Sequence, residues 1–513
     1  MHKKAKVMMI AVLCAALVGV AALFLSGHCL VIKGKLCTVN ARTLDLRGKD
    51  LTVSEYTDIC RKLPQCRIQW DVPLQGQYLP DDSTLVTMSH PTAADLDTLA
   101  FFPELNTIRV TACNDPAIIL ALQQRYPHCQ LQYQLTVEAI TMDQTTTRTV
   151  LRNVQNITDT LRCMPQLTDV NALSCQDTAA LQALQQQYPG CRIIYNVPVG
   201  QEAFSSTARQ ITVQSISATD LEQALPYFYR LKAVKIVQPV EDPEPFRQLE
   251  QRHPDITFTY SFSVLGVTVS NWDSEIDLSG IAMENTEALE AALPYFHDLE
   301  KVDMCQCGIS DKEMEALNQR HPETLFVWMV KIGRVFVRTD ITYFMPHQYG
   351  IKLQEYQTKN MKYLTELICL DLGHQQITST DFLAYMTKMQ YLILADTEIS
   401  DISGCANMPE LKYAEFFLTS IHDFSPLLEC KKLEDLNVSY CQPYDYTVFC
   451  QMKQLKRLWW CGIYGTERPE AMREALPDTI LMFEGMSSTG NGWRQSPNYF
   501  AMRDILGMPY MTF

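Results

Sequence analysis

A six-residue pattern recurs every 22 residues as LICLDL at 367–372, MQYLIL at 389–394, LKYAEF at 411–416, LEDLNV at 433–438 and LKRLWW at 455–460. The first, fourth and sixth positions of each copy are apolar. The last two of these positions lie two residues apart, which is the period of a β-strand. A unit this short cannot bury its own apolar face, so stacked copies must supply one another's core. The spacing therefore predicts a repeat protein in which each unit contributes one short strand and a return segment.

The residues after each strand extend the repeat. Ile377, Ile399 and Ile421 keep the same interval, and Asp-x-Ser follows at 401–403 and 423–425. On these residues the chain resembles the internalin-like, 22-residue class of leucine-rich repeat, and the resemblance implies an α/β solenoid. That class usually has Asn three positions after the last strand leucine. The corresponding residues here are Gln375, Thr397, Thr419 and Cys441.

A second, longer repeat is marked by five prolines at nearly equal intervals, namely Pro64, Pro127, Pro189, Pro254 and Pro322. An apolar residue stands five positions before each proline, and an aromatic residue stands six positions after it. Because proline disfavours helical conformation in the residue before it, the pattern predicts a helix that ends at each proline and a strand that follows. Each long unit except the first also contains a strand that fits the leucine-rich template, such as Leu105, Ile108 and Val110.

We therefore expect a leucine-rich-repeat solenoid of the α/β class with one N-terminal transmembrane helix. The expected segments are a signal anchor at 1–29, the long leucine-rich-like repeats at 30–332, a junction at 333–363, 22-residue repeats with a closing unit at 364–485, and a C-terminal capping segment at 486–513. This arrangement resembles the leucine-rich repeat domain-containing surface proteins of Gram-positive anaerobic bacteria. The resemblance implies a location and a fold, and it implies no activity.

The N-terminus predicts the cellular location. Three lysines within the first six residues precede an apolar run from Val7 to Leu25. As a helix with a rise of about 1.5 Å per residue, this run matches the hydrocarbon thickness of a bilayer. Basic residues before the run orient the N-terminus inward, which predicts a single-pass cell-membrane protein whose bulk is extracytoplasmic. A cleaved signal peptide is the alternative, although residues 25–29 offer no good small-x-small cleavage site.

Charge and motifs argue against several functions. The net charge of -15 argues against nucleic-acid binding, because phosphate contacts require Lys and Arg concentrated on one face. The chain has no G-x-S-x-G elbow, H-E-x-x-H helix, phosphate-binding glycine loop or G-x-G-x-x-G turn. We therefore expect no catalytic residues and no cofactor. Cys305-x-Cys307 has no second Cys or His pair nearby, so we also expect no metal site.

The cysteines allow two interpretations. Cys113 and Cys129 lie in one long repeat, Cys175 and Cys191 lie at the same spacing in the next, and the following repeat lacks both members. Paired presence and absence suggest two disulfides, which an oxidising exterior would favour. Alternatively, the cysteines at the turn position are buried thiols; these are Cys113, Cys175, Cys307 and Cys441.

The strand template also predicts a ligand-binding surface, because residues between the buried leucines face the concave side of a solenoid. The candidate residues are Asp371, His374, Tyr391, Ile393, Tyr413, Glu415, Phe417, Asn437, Tyr440, Arg457 and Trp459. Tyr, Trp and Arg carry much of the binding energy at protein interfaces, so this composition favours recognition. The alternative is that neighbouring ridges or the terminal segment cover these residues.

The terminal segment contains a predicted helix that begins at Ser496-Pro497 and stops at Gly507. Its apolar residues lie at helical spacing, which predicts a cap that seals the open end of the solenoid. A partner-binding tail is the alternative.

Together these features predict a membrane-anchored extracytoplasmic protein that binds an unknown protein or glycan ligand at the cell envelope without chemistry of its own. One alternative is a structural envelope component whose repeats self-associate. Another is a hydrolase of an envelope polymer or peptide, whose site no motif reveals.

Overall fold

The structure is a computed structural model that describes residues 29–463, 469–485 and 487–508. The described chain forms two compact units: one comprises residues up to 237 together with 248–258, and the other comprises 238–247 together with residues from 259 onward. The predicted signal anchor lies outside the described residues, apart from Cys29. Among the residues that are described, no helix combines the length and apolar character needed to cross a membrane.

In the first unit, short parallel strands form one sheet per long repeat. The central strand of each three-strand group follows the leucine-rich template, as predicted, and the sequence did not reveal the strand before it. The parallel strands are Thr43–Asp45 and Arg67–Gln69, then Leu85–Ser89, Thr107–Cys113 and Gln130–Val137, then Arg148–Val150, Asp169–Asn171 and Arg192–Ile194, then Gln210–Val213, Ala233–Ile236 and Thr257–Thr259.

Helices connect these strands and end where the prolines predict. The helix Val53–Lys62 ends just before Pro64, and Pro116–Arg125 ends just before Pro127. Their apolar sides pack inward through residues such as Ile59 and Leu122. The helices of this part of the chain are Val53–Lys62, Ala93–Thr98, Pro116–Arg125, Val154–Cys163, Thr178–Gln187, Ala218–Ala224 and Glu244–Arg252, with 3₁₀ turns at Leu99–Phe101 and Leu225–Tyr227.

A β-hairpin follows the last parallel strand of each long repeat, and no pattern in the sequence predicted these hairpins. Their two-residue turns carry positive φ at the first position, as at Gln75-Gly76 and Leu265-Gly266, and this geometry matches the right-handed twist of the flanking strands. The hairpins of the first unit pair Cys29–Ile32 with Lys35–Thr38, Asp71–Leu74 with Gln77–Pro80, Gln130–Val137 with Ile140–Asp143, and Asn196–Val199 with Glu202–Ser205.

The second unit begins with the same long-repeat plan. Its strands are Ser261–Val264, Val267–Ser270, Glu275–Asp277, Lys301–Asp303, Leu325–Val327, Met329–Ile332 and Val335–Arg338. Its helices are Glu287–Ala292, Asp311–Arg320, Thr447–Cys450, Pro469–Ala475 and Pro497–Ile505. Its 3₁₀ turns are Leu293–Tyr295, Pro346–Tyr349, Glu355–Gln357, Lys359–Tyr363, Asp381–Tyr385, Ser403–Asn407, Ser425–Glu429 and Trp493–Gln495.

A seven-stranded parallel sheet dominates the second unit, and residues that lie 22 positions apart pair in its central strands. Its strands are Tyr343–Phe344, Cys369–Asp371, Tyr391–Ile393, Tyr413–Glu415, Asp435–Asn437, Arg457–Trp459 and Ile480–Met482, in chain order. Equivalent residues of successive repeats pair directly, as Leu370 pairs with Leu392 and Leu392 with Ala414. The strand at 343–344 comes from the stretch expected to be a junction, and the closing unit supplies the last strand.

Two threonines bond the turn at the position where this class of repeat usually has Asn. Ile377, Ile399 and Ile421 are fully buried beneath the sheet. The Thr397 hydroxyl donates to the Leu394 carbonyl at 2.7 Å, and Thr419 makes the equivalent bond to Phe416 at 2.8 Å. The hydroxyls thus hydrogen-bond the turn in place of the usual amide, and the repeat geometry is kept.

Candidate functional site

The predicted binding residues lie on one side of the seven-stranded sheet. We call this side the inner face; it consists of the first and third residues of the five central strands, which are Cys369, Asp371, Tyr391, Ile393, Tyr413, Glu415, Asp435, Asn437, Arg457 and Trp459. The register places each set of equivalent residues in a column, so Asp371, Ile393 and Glu415 are direct neighbours. The inner face therefore brings together most of the predicted residues.

Most of this face is buried by the C-terminal part of the chain. We call residues 487–508 the cover segment. Trp493 stacks on Tyr413 with ring centroids 4.6 Å apart and meets the Trp459 ring edge-on at 4.6 Å. Tyr499 contacts the same Tyr413 ring at 6.5 Å. The predicted cap thus lies on the inner face and not at the end of the solenoid, and an external ligand cannot reach these aromatic residues while the segment is docked.

The apolar cluster between the cover segment and the sheet is continuous. From the sheet side it includes Tyr391, Ile393 and Ala395, all of which are buried. From the cover side it includes Met502 and Leu506, which are 1% and 2% exposed. Burial of this many large side chains stabilises the docked state, because each contributes roughly 1.5–3 kcal/mol when removed from water.

Polar contacts fix the position of the cover segment. The Trp459 indole donates to the Asn491 carbonyl at 2.9 Å, and the Asn437 amide donates to the Ser488 hydroxyl at 3.1 Å. The Asn498 amide donates to a carboxylate oxygen of Asp435 at 3.2 Å. Because buried polar groups that lose their partners are costly, these bonds specify one docked arrangement.

The cover helix Pro497–Ile505 crosses the strands in the reverse of chain order. Asn498 contacts Asp435, Tyr499 contacts Tyr413 on the next strand, and Arg503 acts by charge attraction on Asp371, two strands further on. Strands are about 4.8 Å apart and a helical turn advances about 5.4 Å. The helix rises about 7.5 Å from Asn498 to Arg503, whereas Asp435 and Asp371 are three strands or about 14 Å apart, so the Arg503 charge acts on Asp371 from a distance.

Two carboxyl groups of the inner face, those of Glu415 and Asp371, have raised pKa values. Burial raises the pKa of Glu415 to about 7, while a hydrogen bond from Trp493 and the charge of Arg494 oppose the shift. Burial also raises the pKa of Asp371 above its ordinary value, against a hydrogen bond from the Gly373 amide. Glu415 therefore changes its charge near neutral pH at the contact with the cover segment.

The remaining predicted residues, His374, Phe417 and Tyr440, lie beside the inner face. The exposed His374 ring lies 2.7 Å from the Asp396 carboxylate, and the Phe417 and Tyr440 rings meet edge-on at 5.5 Å. His374, Asp396 and Tyr440 all have positive φ and occupy equivalent positions of their repeats. Of the three, His374 is exposed, whereas Phe417 and Tyr440 are half-buried and Phe417 packs against the apolar cluster.

The cysteines of the described residues are free thiols, including both predicted pairs. Cys175, Cys307 and Cys441 are buried and donate to the carbonyls of Leu151, Leu278 and Phe416, and Cys113 donates to the Asp115 carbonyl. This arrangement agrees with the buried-thiol interpretation. No group of three or more His, Cys, Asp or Glu that could hold a metal occurs in the part of the chain that the structure describes.

Sequence reasoning missed the residues that hold the cover segment in place, chiefly Ser488, Asn491 and Asn498. The sequence nevertheless contained one indication that the tail covers the inner face. The aromatic residues of the inner face form an apolar area too large to stay exposed, and the tail contains the matching aromatics Trp493 and Tyr499.

No protein-family model matches the chain, and no curated protein matches its sequence. Among solved structures, the chain is similar to an internalin from Listeria monocytogenes, with 12% identity, coverage of 80% of this chain and 86% of that chain, and a TM-score of 0.21. It is also similar to a leucine-rich repeat protein from Leptospira interrogans, with 14% identity, coverage of 75% and 92%, and a TM-score of 0.26. At these TM-scores the fold assignment depends on the register and burial of the chain itself.

Proposed function

We propose that this chain is a membrane-anchored, extracytoplasmic leucine-rich-repeat protein that binds a polypeptide ligand at the cell envelope without chemistry of its own. The observation that supports the proposal is that the inner face already holds a polypeptide helix. The contacts combine aromatic stacking, as between Trp493 and Tyr413, with side-chain bonds to backbone, as from Trp459 to Asn491. Aromatic anchors surrounded by specific polar bonds are characteristic of protein recognition sites.

A polypeptide is favoured over a glycan because the repeat spacing suits a helix. One helical turn per strand lets successive turns place side chains against successive repeats. Tyr499, Met502 and Leu506 are spaced three and four positions apart and are all buried in the apolar cluster against the inner face. A glycan ligand remains the competing outcome of the binding experiment below.

The proposed location rests on the N-terminal sequence. The apolar run from Val7 to Leu25 after a basic start is the feature that supports a signal anchor. Membrane fractionation tests it: the full chain should remain in the membrane pellet after alkaline carbonate washing and be cleaved by protease added to intact cells. Recovery of the intact chain in the soluble cytoplasmic fraction would contradict the proposal.

Binding is tested with the full chain and a variant whose cover segment is weakened by Tyr499→Ala and Leu506→Ala. The variant should capture an envelope protein more strongly than the parent, and a peptide of residues 487–508 should compete with that protein. A matched control is Tyr356→Ala, since Tyr356 is 75% exposed and belongs to neither the inner face nor the cover segment. Capture of glycan alone, or capture that the peptide leaves unchanged, would contradict the proposed ligand class.

Self-association is the second candidate, because the cover segment could dock on another copy. Gly485, Gly490 and Gly492 lie between the last strand and the cover helix, and two of them have positive φ. An exchange of segments between copies requires such a hinge. Concentration-dependent dimers that the 487–508 peptide dissociates would favour this function. The hydrolase alternative is less favoured, because its candidate carboxylates Asp371 and Glu415 lie beneath the cover segment.

A further inference from the structure

A cavity of about 520 Å³ lies in the second unit, where the long repeats meet the 22-residue repeats. Its walls come from the helix Asp311–Arg320 of the last long repeat and from the 3₁₀ turns Lys359–Tyr363 and Asp381–Tyr385. A ten-residue helix is about 15 Å long, whereas a five-residue 3₁₀ turn is about 10 Å long. The cavity therefore lies at the step between two return segments of unequal length, and no residue of the inner face or the cover segment lines it.

Three aromatic residues line this cavity. Trp328 is buried, and its ring meets the Tyr363 ring edge-on with centroids 5.4 Å apart. Tyr385 is 48% exposed. A tyrosine ring presents an apolar face together with a hydroxyl that both donates and accepts hydrogen bonds. Tyr385 therefore offers a ligand in the cavity an aromatic surface that it can cover.

An ammonium of the chain itself lies among these rings. The Lys362 nitrogen lies 4.7 Å from the centroid of the Tyr363 ring and 5.9 Å from that of the Tyr385 ring. It also lies 2.9 Å from both carboxylate oxygens of Glu315. Aromatic rings beside a carboxylate are an arrangement by which proteins bind cationic ligands. Lys362 already fills that place, which disfavours an external cation between the same rings.

The rest of the lining is polar and mostly acidic. The cavity carries four Glu and two Lys side chains. Glu366 pairs with Lys388 at 2.6 Å, and Glu300 and Glu323 are exposed and form no ion pair among the described residues. The carboxylates would repel an anion, and an apolar ligand would separate these groups from water without replacing its hydrogen bonds. The lining therefore favours an uncharged ligand with hydroxyl groups, which donate to carboxylates and accept from ammonium groups.

We propose that this cavity binds a saccharide, with one sugar ring against Tyr385 and its hydroxyls bonded to Glu323 and to the Lys388–Glu366 pair. A sugar ring has an apolar face of C–H groups and an edge of hydroxyls, and the lining provides a partner for each. The cavity is separate from the inner face, so this inference goes beyond the proposed function and does not depend on it. The excess of carboxylates makes a cation the competing occupant.

The test is isothermal titration calorimetry of the full chain with three uncharged tetrasaccharides, chitotetraose, cellotetraose and maltotetraose, and with spermine as the cationic probe. The variants are Tyr385→Ala, which removes the ring, Tyr385→Phe, which keeps it, and Glu323→Gln, which removes an exposed carboxylate. The matched control is Tyr356→Ala, because Tyr356 is also exposed and does not line the cavity. Circular dichroism checks that every variant remains folded.

At least one tetrasaccharide should bind with a Kd below about 1 mM. Tyr385→Ala should weaken that binding roughly tenfold and Tyr385→Phe less than about threefold, because the aromatic face supplies most of the contact. Glu323→Gln should weaken it less than Tyr385→Ala does. Tyr356→Ala and an excess of the 487–508 peptide should leave it unchanged.

Three results would overturn the inference: no binding of any tetrasaccharide, equal binding by the parent and Tyr385→Ala, or binding of spermine alone. Each would leave the proposed polypeptide site untouched, because that site is probed by the 487–508 peptide on the inner face. Competition between that peptide and the tetrasaccharide would instead place the sugar on the inner face and would overturn the assignment to this cavity.

Discussion

Gly462 shows how one backbone position constrains a neighbouring side chain, that of Tyr440. Its φ is +68°, and a Cβ placed there would lie 2.5 Å from the Tyr440 ring. Gly350 has a similar φ of +60° with nothing within 4 Å of the added atom. Alanine substitutions at the two glycines can therefore distinguish the free-energy cost of a left-handed backbone from the cost of a steric clash.

Gly462→Ala should destabilise the second unit more than Gly350→Ala. The control should lose about 1–2 kcal/mol for the left-handed conformation alone. Gly462→Ala should lose a further 1–3 kcal/mol, roughly, because the Tyr440 ring must move. Chemical unfolding monitored by tryptophan fluorescence measures both. Equal losses would show that the contact with Tyr440 has no energetic consequence.

Glu415 should make docking of the cover segment depend on pH. Its pKa is about 7 in the folded chain against an ordinary 4.5, so the folded state holds the proton more tightly. The resulting stabilisation is complete below pH 4.5 and is lost as pH rises through 7, at most about 3 kcal/mol. The charged and polar groups that face this carboxylate are Asp371, Arg494, Trp493 and Tyr413.

Glu415→Gln should remove this dependence, because the amide stays neutral and still accepts a bond from Trp493. Between pH 5 and pH 8 the parent should show increasing release of the cover segment, detected as a change in Trp493 emission, while the variant stays constant. Parallel pH curves for the two proteins would contradict the assignment.

The cysteines should behave as isolated thiols. Burial raises the pKa of Cys163 and of Cys430 to about 12, so both should resist alkylation in the native chain at pH 8. The more exposed Cys60 and Cys66 should react first. Mass spectrometry of alkylated peptides, with and without prior reduction, measures this. Thiols that appear only after reduction, at Cys113 with Cys129 or Cys175 with Cys191, would instead establish the disulfides.

The cover helix should be able to detach and unfold while the rest of the fold stays intact. Leu506→Ala removes a side chain that is 2% exposed, and such truncations cost about 2–5 kcal/mol. We expect faster amide exchange in residues 497–505 and on the inner-face strands, with unchanged protection in the helix Val53–Lys62. Tyr356→Ala is the control and should change neither region. Uniform loss of protection throughout the chain would mean that the segment is part of one cooperative core.

The 22-residue pattern predicted the central strands because its signal is local and periodic. Leu370, Leu392 and Leu436 are fully buried in register, as their spacing requires. The hairpins were missed because their signal is weak: Gln75-Gly76 and Leu265-Gly266 are turn pairs, whereas Glu138-Ala139 contains no glycine. Only the structure shows that Glu138 and Ala139 adopt positive φ.

The placement of the cover segment could not be read from sequence, because it depends on contacts between residues distant along the chain. Ser496-Pro497 correctly marked the start of the helix, and the helix begins at Pro497 with Ser496 as its cap. Its docking surface follows from the contact of Trp493 with Tyr413, a residue that belongs to a strand several repeats earlier in the chain. The sequence therefore identified the residues of the inner face, but it could not show that the cover segment buries most of them.

For the molecule as a whole, the two kinds of repeat provide a scaffold, and the second unit carries the inner face that we propose as the recognition site. The scaffold accounts for most of the chain and carries no motif for chemistry. The distinctive chemistry, aromatic residues beside Asp371 and Glu415, is confined to the face that the cover segment occupies. The proposed function therefore requires that this face bind a helix supplied from outside.

The most direct measurement is anisotropy of a fluorescent peptide of residues 487–508 titrated with the full chain carrying Tyr499→Ala and Leu506→Ala. We expect saturable binding, weaker binding to the parent, whose own segment competes, and no binding of a peptide with the same residues in scrambled order. Absence of saturable binding, or equal binding of the scrambled peptide, would contradict the claim that the inner face recognises a polypeptide.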